Sequence, residues 1–418
     1  MKVSKYNIVK EYEDKTLVYN SFSKASLILE KDSNTKAFEN IDEYDKLDNE
    51  TKKILYENGF VIDDEVDEFE ELKYIYEKKF FASNILNIIL VPSLKCNFKC
   101  PYCFEKDLTC GKENVKKYFE VLKKYALKYF KNYKCVQISL FGGEPLLYAK
   151  ECIDFLDFVA EDSKKNNYKY ITSIVTNGSL LTEEIFFCLY KHNLSSLQIT
   201  IDSNKEVHDK NRIFKNGKLS FDLLIEKINM ISSLDLKNEK FKFIVRINLN
   251  NTDVETVKND LQKINNRNNV YLLIRAIYNT HAYTQNNINN VNELKKFYDM
   301  STELGFKILK ERYQFQTCEA CGDEKVFHLM PDLSMWKCIN DLNYTKAKIG
   351  VLNSDGNPEL IPENIVFWHK NCISGFTDKE CIDCKMLPDC LGGCPLYKCK
   401  NKNKSCRTFD MFSLPIIY

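Results

Sequence analysis

From residue 84 onward, short apolar runs alternate with stretches of helical period, and this alternation constrains the fold more than any other feature. The runs are Ile85–Val91, Val136–Phe141, Tyr170–Val175, Leu197–Ile201, Phe241–Ile247 and Val270–Ile277. Amphipathic stretches lie between them, at Lys112–Lys131, Tyr148–Asn166, Thr182–His192, Ser220–Ser233 and Asp253–Asn265. Strands joined through helices run parallel, because a parallel pair needs a long crossover. The pattern predicts an α/β fold with about six β/α units and a parallel sheet. A closed TIM barrel needs eight such units, so a partial, open barrel is expected.

In barrels the chemistry sits at the C-terminal ends of the strands. The first run enters Cys96-Asn97-Phe98-Lys99-Cys100-Pro101-Tyr102-Cys103, and the second enters Gly142-Gly143-Glu144-Pro145. The third ends at Thr176-Asn177-Gly178 and the fourth at Asp202-Ser203. Three thiolates can hold three corners of a cubane iron–sulfur cluster and leave its fourth iron without a protein ligand. Electron-transfer clusters use four Cys, so this spacing points to chemistry at the open iron. Zinc prefers four ligands in a closed tetrahedron, and the motif itself holds no fourth Cys or His. Gly142 and Gly143 let a ligand approach the backbone closely, and Glu144 with the nearby carbonyls can accept hydrogen bonds from an ammonium. His208 and Arg212 read as a surface His and an ion-paired Arg, and Asp202 as a cofactor contact or a helix cap. Arg246 and Asn248 are polar residues on a sheet strand and can face the interior, whereas Cys110, Cys135, Cys152 and Cys188 read as packing Cys.

The flanks differ from this middle part. Residues 1–80 carry 20 acidic and 13 basic side chains. They read as a small α+β module, with strands at Tyr6–Lys10 and Thr16–Asn20 around the turn Glu13-Asp14-Lys15. A helix follows near Glu43–Leu47, then a second over Asp48–Asn58, capped by Asp48 or Asn49 and stopped by Gly59. Phe60–Ile62 closes the module as a strand, in an order that resembles a winged helix, and the helical stretch Glu65–Lys79 links onward. Residues 314–418 show little apolar repeat and would need metal clusters to hold them. The expected domains are therefore 1–80, 81–313 and 314–418. Of 17 Cys, eight lie between Cys338 and Cys406, with two more at Cys318 and Cys321. Clumped Cys in a reducing compartment are metal ligands rather than disulfides. A net charge of +1 gives no reason to expect nucleic acid. No stretch resembles a membrane span or signal peptide, so a cytoplasmic protein without membrane partners is expected.

Cys-x3-Cys-x-aromatic-Cys after a first strand, then Gly-Gly-Glu-Pro after a second, resembles the radical S-adenosylmethionine (SAM) superfamily over residues 85 to about 280. The resemblance implies that Cys96, Cys100 and Cys103 ligate a 4Fe–4S cluster whose open iron chelates the amino and carboxylate groups of SAM. Tyr102 would lie against the adenine, and Gly142, Gly143 and Glu144 would border the methionine ammonium. Thr176 and Asn177 would lie near the ribose, with Asp202 a further candidate contact. The reduced cluster would cleave SAM to a 5′-deoxyadenosyl radical that abstracts a substrate hydrogen, while the protein positions the reactants.

Cys381-x2-Cys384-x5-Cys390-x3-Cys394 resembles the SPASM domain found behind many such barrels. Pro331–Cys338 resembles that domain's turn before a ligand Cys, with Leu333 where the family usually has Gly. The resemblance implies two auxiliary clusters. One would use Cys338, Cys394 and either Cys321 or Cys318, and the other Cys381, Cys384, Cys390 and Cys406. Cys399 competes with Cys406, and Cys372 is a spare ligand or inert. Peptide-modifying radical SAM enzymes often carry an N-terminal winged-helix module that takes a leader peptide by strand addition. Phe141–Leu147, Thr176–Leu181 and Gln198–Arg212 are also similar to maturases of ribosomally made peptides. The expected function is Cys thioether crosslinking of a ribosomally synthesised precursor peptide, with an external electron donor. The alternatives are an anaerobic sulfatase-maturing enzyme that forms formylglycine, or a non-catalytic zinc or iron–sulfur scaffold that binds a peptide. Deleting residues 1–80 would separate the first two.

Overall fold

The computed structural model describes residues 1–11, 15–30, 35–81, 84–105, 108, 113–249, 253–276, 291–309, 325–339 and 342–401. They fall into two compact units: Met1–Ser83 with Glu311–Asp323 and Val366–Tyr418, and Asn84–Lys310 with Glu324–Ile365. This division differs from the expected 1–80, 81–313 and 314–418, because the last stretch is split between both units.

In the first unit, β1 (Lys2–Val3) pairs antiparallel with β5 (Val61–Ile62), and β2 (Asn7–Glu11), β3 (Lys15–Asn20) and β4 (Ser26–Glu30) form an antiparallel sheet in that order. The helix Asn49–Glu57 starts where Asp48 accepts from the N–H groups of Glu50 and Thr51, satisfying donors that the first turn leaves open. Val18, Phe38, Tyr44, Leu55 and Phe60 bury one core between sheet and helices. The helix Glu68–Phe80 begins at a similar cap, Asp67. Its Leu72 and Tyr76 bury a second core with Tyr6, Phe376, Leu387 and Leu391. The end of the chain thus closes on its beginning, in a core that neither stretch could fill alone.

In the second unit, β6 (Ile85–Leu90), β7 (Cys135–Leu140), β8 (Lys169–Thr176), β9 (Leu194–Asp202), β10 (Lys242–Leu249) and β11 (Val270–Ala276) lie side by side, each parallel to the next. The α/β class and the six-strand open barrel follow the sequence pattern. The inner residues of β6 and β7, Leu86, Ile88, Leu90, Val136, Ile138 and Leu140, are buried, as expected for strands covered by crossover helices. The short β12 (Lys307–Ile308) extends the sheet beyond β11.

Beyond β6 the sheet continues through β13 (Val326–Leu329), β14 (Ser334–Trp336), β15 (Lys348–Leu352) and β16 (Pro358–Leu360). These residues were expected to be irregular. Runs of three to five residues are too short to show a period, and β14 is buried along its whole length. In the turn before β14, Leu333 stands where Gly was expected. Leu333 adopts φ +67°, a left-handed conformation that costs a non-glycine residue about 1–2 kcal/mol. The Leu333 N–H donates to the Met330 carbonyl at 2.8 Å and holds it there. Among the described residues no helix is long and apolar enough to cross a membrane.

Candidate active site

The loop after β6 carries Cys96, Cys100 and Cys103, and neighbouring segments fix it from two sides. On one side it pairs with the segment that follows the helix Lys205–Asn211. Phe98 and Phe214 form an antiparallel bridge, flanked by hydrogen bonds from Lys99 N to the Ile213 carbonyl (3.0 Å) and from Lys215 N to the Asn97 carbonyl (2.9 Å). Their rings meet edge to face at 4.7 Å. On the other side the glycine loop after β7 grips it, with Gly143 N donating to Ser93 O at 3.2 Å and Glu144 N to Lys95 O at 2.9 Å. A Cβ on Gly143 would lie 2.3 Å from Lys95 O and 2.5 Å from Leu94 O. Only glycine allows the two loops to come this close.

The strand ends then converge on hubs. Tyr102 Oη donates to Asp202 at 2.7 Å to each carboxylate oxygen. Asn248, paired in register with Asp202 across β9 and β10, donates to it at 3.1 Å, and Asn211 adds a further bond. Arg246 Nε donates to Asn248 Oδ1 at 2.8 Å. Asp202 is therefore a buried acceptor rather than a cap. Asn204 caps the helix Lys205–Asn211.

Arg212 donates to Tyr102 Oη at 3.1 Å and lies over the Phe98 ring at 5.9 Å. Burial opposes its charge, but Tyr102, Cys100 and Asp202 reverse this and keep the guanidinium protonated. Its Nε is buried and has no partner among the described residues. His208 is also fully buried. Its Nδ1 lies 3.2 Å from Asp202 N, which donates to it, and its Nε2 faces Ser220 Oγ at 3.0 Å. Burial depresses its pKa well below the usual range, so it is neutral. The expectation of a surface His and an ion-paired Arg is thus corrected: His208 in the helix and Arg212 at its C-cap are both buried, and Arg212 bonds the Tyr102 hydroxyl.

Glu144 is buried and its carboxylate is committed to the fold. It accepts from Leu146 N (2.9 Å), Thr176 Oγ1 (2.7 Å) and Asn177 N (2.7 Å). The Asn177 side chain bonds Asn97 at 2.7 Å and lies 3.7 Å from Cys96 Sγ. Asn97 in turn donates to Ser179 Oγ at 2.9 Å. Asn97 lies inside the thiol motif and Ser179 inside Thr176–Leu181, but the sequence pattern gave neither a role of its own.

The thiols suit a cubane. Burial pushes the Cys100 thiol up to about 11 against the opposing pull of Arg212, and Cys96, Cys100 and Cys103 all lie on the one loop after β6. Among the described residues no three His, Cys, Asp or Glu side chains converge on the position of one metal ion. A cubane offers its irons at separate corners, so its ligands need not converge on a single point. Charged Arg212, with an unused donor, complements a cluster of anionic thiolates. Cys318, Cys321, Cys406 and Cys110 lie outside the described residues. Cys338, Cys372 and Cys152 are buried, Cys135, Cys188, Cys381, Cys390 and Cys394 are half-buried, and Cys384 is exposed.

Residues 90–263 match the Radical SAM superfamily, a span that takes in the thiol loop and β7 to β10. The chain is an enzyme, and its cofactors are a 4Fe–4S cluster and SAM. Over 379 residues it is 26% identical to the radical SAM cyclopropyl synthase TigE of Paramaledivibacter caminithermalis, covering 81% of this chain and 75% of that one. Over 371 residues it is 24% identical to a cysteine-type anaerobic sulfatase-maturating enzyme of Clostridium novyi, covering 78% and 94%. Among solved structures, anSMEcpe with bound AdoMet shares the fold at TM-score 0.56 and 19% identity, over 79% of this chain and 98% of that one. Streptococcus suis SuiB bound to precursor peptide SuiA shares it at TM-score 0.51 and 16% identity, over 96% and 97%.

Proposed function

We propose that the chain modifies a ribosomally synthesised precursor peptide and forms a thioether from a substrate Cys to another residue's carbon. The observation that carries this reading is the folded module at residues 1–83. SuiB, whose structure holds a precursor peptide, matches 96% of the chain, whereas anSMEcpe matches 79%. When bound, the reduced cluster supplies the electron that splits SAM and so delivers a carbon radical able to remove a substrate hydrogen. Cys96, Cys100 and Cys103 hold that cluster. Tyr102, Asp202, Asn248 and Arg212 lock the loop against the strand ends, so the reactants meet in one orientation. Cys381, Cys384 and Cys390, with Cys406 from outside the described residues, would hold an auxiliary cluster. An auxiliary cluster bound there would supply an acceptor for the electron left after the carbon–sulfur bond forms.

In the three-stranded sheet β4 is an edge, and its Ile28 is 51% exposed. A leader peptide adds there as a fourth strand. Ile28→Asp is expected to weaken leader binding about tenfold, or about 1.4 kcal/mol, with SAM cleavage in the absence of peptide unchanged. Fluorescence anisotropy of a labelled leader checks this.

A second reading, oxidation of a substrate Cys to formylglycine, is supported by the Clostridium novyi relative, which matches 94% of its own length. The deciding experiment incubates the reconstituted enzyme anaerobically with SAM, reductant and either a Cys-containing precursor or a leader-free Cys peptide. Loss of two hydrogens from the precursor supports crosslinking. Conversion of the leader-free thiol to an aldehyde sinks it in favour of the second reading.

A further inference from the structure

Arg246 lies on the face of the sheet that lines the barrel. The other face of β10, with Phe243, Val245 and Ile247, is buried, and the helix Phe221–Ser232 packs against β9 and β10. Successive strand residues point to opposite faces, so Arg246 and Asn248 turn to the interior. Register extends this face. Arg246 pairs with Thr200 and Asn248 with Asp202, and Asn248 pairs with Arg275 on its other side. Gln198, Ser173 and Ser139 follow across β9, β8 and β7, with the two serine hydroxyls 2.7 Å apart. Among the strand residues of β6 to β11 on this face, Asp202 is the one carboxylate, and Tyr102, Asn248 and Asn211 already bond it. Arg246 is half-buried. Among the described residues it makes a single hydrogen bond, from Nε to Asn248 Oδ1, and no ion pair, so neither Nη is bonded there.

We propose that Arg246 binds a carboxylate of the substrate peptide, an Asp or Glu side chain, and so selects the segment presented to the radical. The inference rests on the proposed peptide substrate. A guanidinium held away from water without an anion is costly, and a second cation, Arg275, shares the face. The planar fork of an Arg matches the two oxygens of a carboxylate. SAM brings a carboxylate too, but Arg212 stands closer to the thiol loop. Arg212 bonds Tyr102 directly, whereas Arg246 is joined to Tyr102 through Asn248 and Asp202. The same chain of bonds fixes the guanidinium relative to the loop that carries the cluster ligands, so a carboxylate seated on it is held at a set distance from the reacting centre.

The test uses the reconstituted enzyme with SAM, reductant and the precursor that it modifies. Each Asp and Glu of the precursor outside the leader is changed to Asn or Gln in turn, and a further peptide carries an amidated C-terminus. Values of kcat/KM are compared between the wild type and Arg246→Gln, with iron content and the SAM Kd by equilibrium dialysis alongside. The expected result is a loss of about tenfold or more for Arg246→Gln, a similar loss for one substituted peptide on the wild type, and no further loss when the two are combined. Arg246→Lys, which keeps the charge, should recover part of it. A loss that follows amidation alone supports the carboxylate but places it at the chain end. Losses that simply add overturn the role of Arg246, as does a weakened SAM Kd, which would assign the guanidinium to the cofactor. A precursor stripped of every carboxylate outside the leader, yet modified by the wild type at the full rate, overturns it even if Arg246→Gln loses its iron. An enzyme that modifies no precursor overturns the peptide reading instead.

Discussion

Gly143→Ala is expected to lower 5′-deoxyadenosine formation a hundredfold or more while leaving most of the fold intact. The added methyl would sit 2.3 Å from Lys95 O, 2.5 Å from Leu94 O and 2.6 Å from Lys95 C. All three atoms are backbone, so no side chain can swing away. The clash must be relieved by moving the loop that carries Cys96 or by breaking the bonds from Gly143 N to Ser93 O and Glu144 N to Lys95 O. Overpacking of this kind costs about 1–3 kcal/mol, which a chain with a core of this size survives. The catalytic cost is larger, because a shift of about 1 Å at a reacting centre can cost about a hundredfold in rate. Anaerobic reconstitution followed by chromatography of 5′-deoxyadenosine, with iron content and thermal unfolding alongside, checks both halves. Wild-type rates in the alanine variant would mean that the close approach of the two loops does not position the cluster.

The main frame of the barrel was legible because its strands bury every second residue and half-bury most of the others, and so appear as short apolar-rich runs. Val136–Phe141 became β7 and Phe241–Ile247 became β10, each displaced by one or two residues, the usual uncertainty where strand ends fray. The thiol and glycine motifs were legible because their chemistry depends on spacing along the chain. Arg212 and His208 were misread because local sequence gives no sign that their helix packs inward against the Phe98 loop. β4 was missed because an edge strand with alternating exposure, in Ser26–Glu30, looks like an ordinary loop. β13 to β16 were missed because their burial comes from joining a sheet whose neighbouring strand, β6, lies far away in sequence. Burial through distant partners also conceals the most consequential feature of the fold, the core shared by the two ends of the chain.

That shared core makes removal of residues 1–83 a test of folding as much as of leader binding. Truncation is expected to yield an aggregated chain depleted in auxiliary iron. Tyr6, Leu72 and Tyr76 cover Phe376, Leu387 and Leu391, and uncovering three such side chains costs about 1.5–3 kcal/mol each. A polar grip lies beside this core. Lys24 Nζ meets Asp389 Oδ1 at 2.6 Å, with side-chain exposures of 16% and 5%, and Tyr19 Oη donates to Asp389 Oδ2 at 2.8 Å. Ser21 Oγ donates to the Lys385 carbonyl. Asp389 lies between Cys384 and Cys390, so these contacts hold the loop that carries the proposed ligands. Lys24→Met isolates the grip from the rest of the module. It leaves a buried carboxylate without its cation, at an expected cost of about 3–5 kcal/mol, read as a lower unfolding free energy. Lys24→Met/Asp389→Leu should recover most of that loss, because no buried charge is left unpaired. A truncated chain that stays soluble with full iron, or a Lys24→Met variant as stable as the parent, would show that the first 83 residues do not hold the cysteine-rich end of the chain.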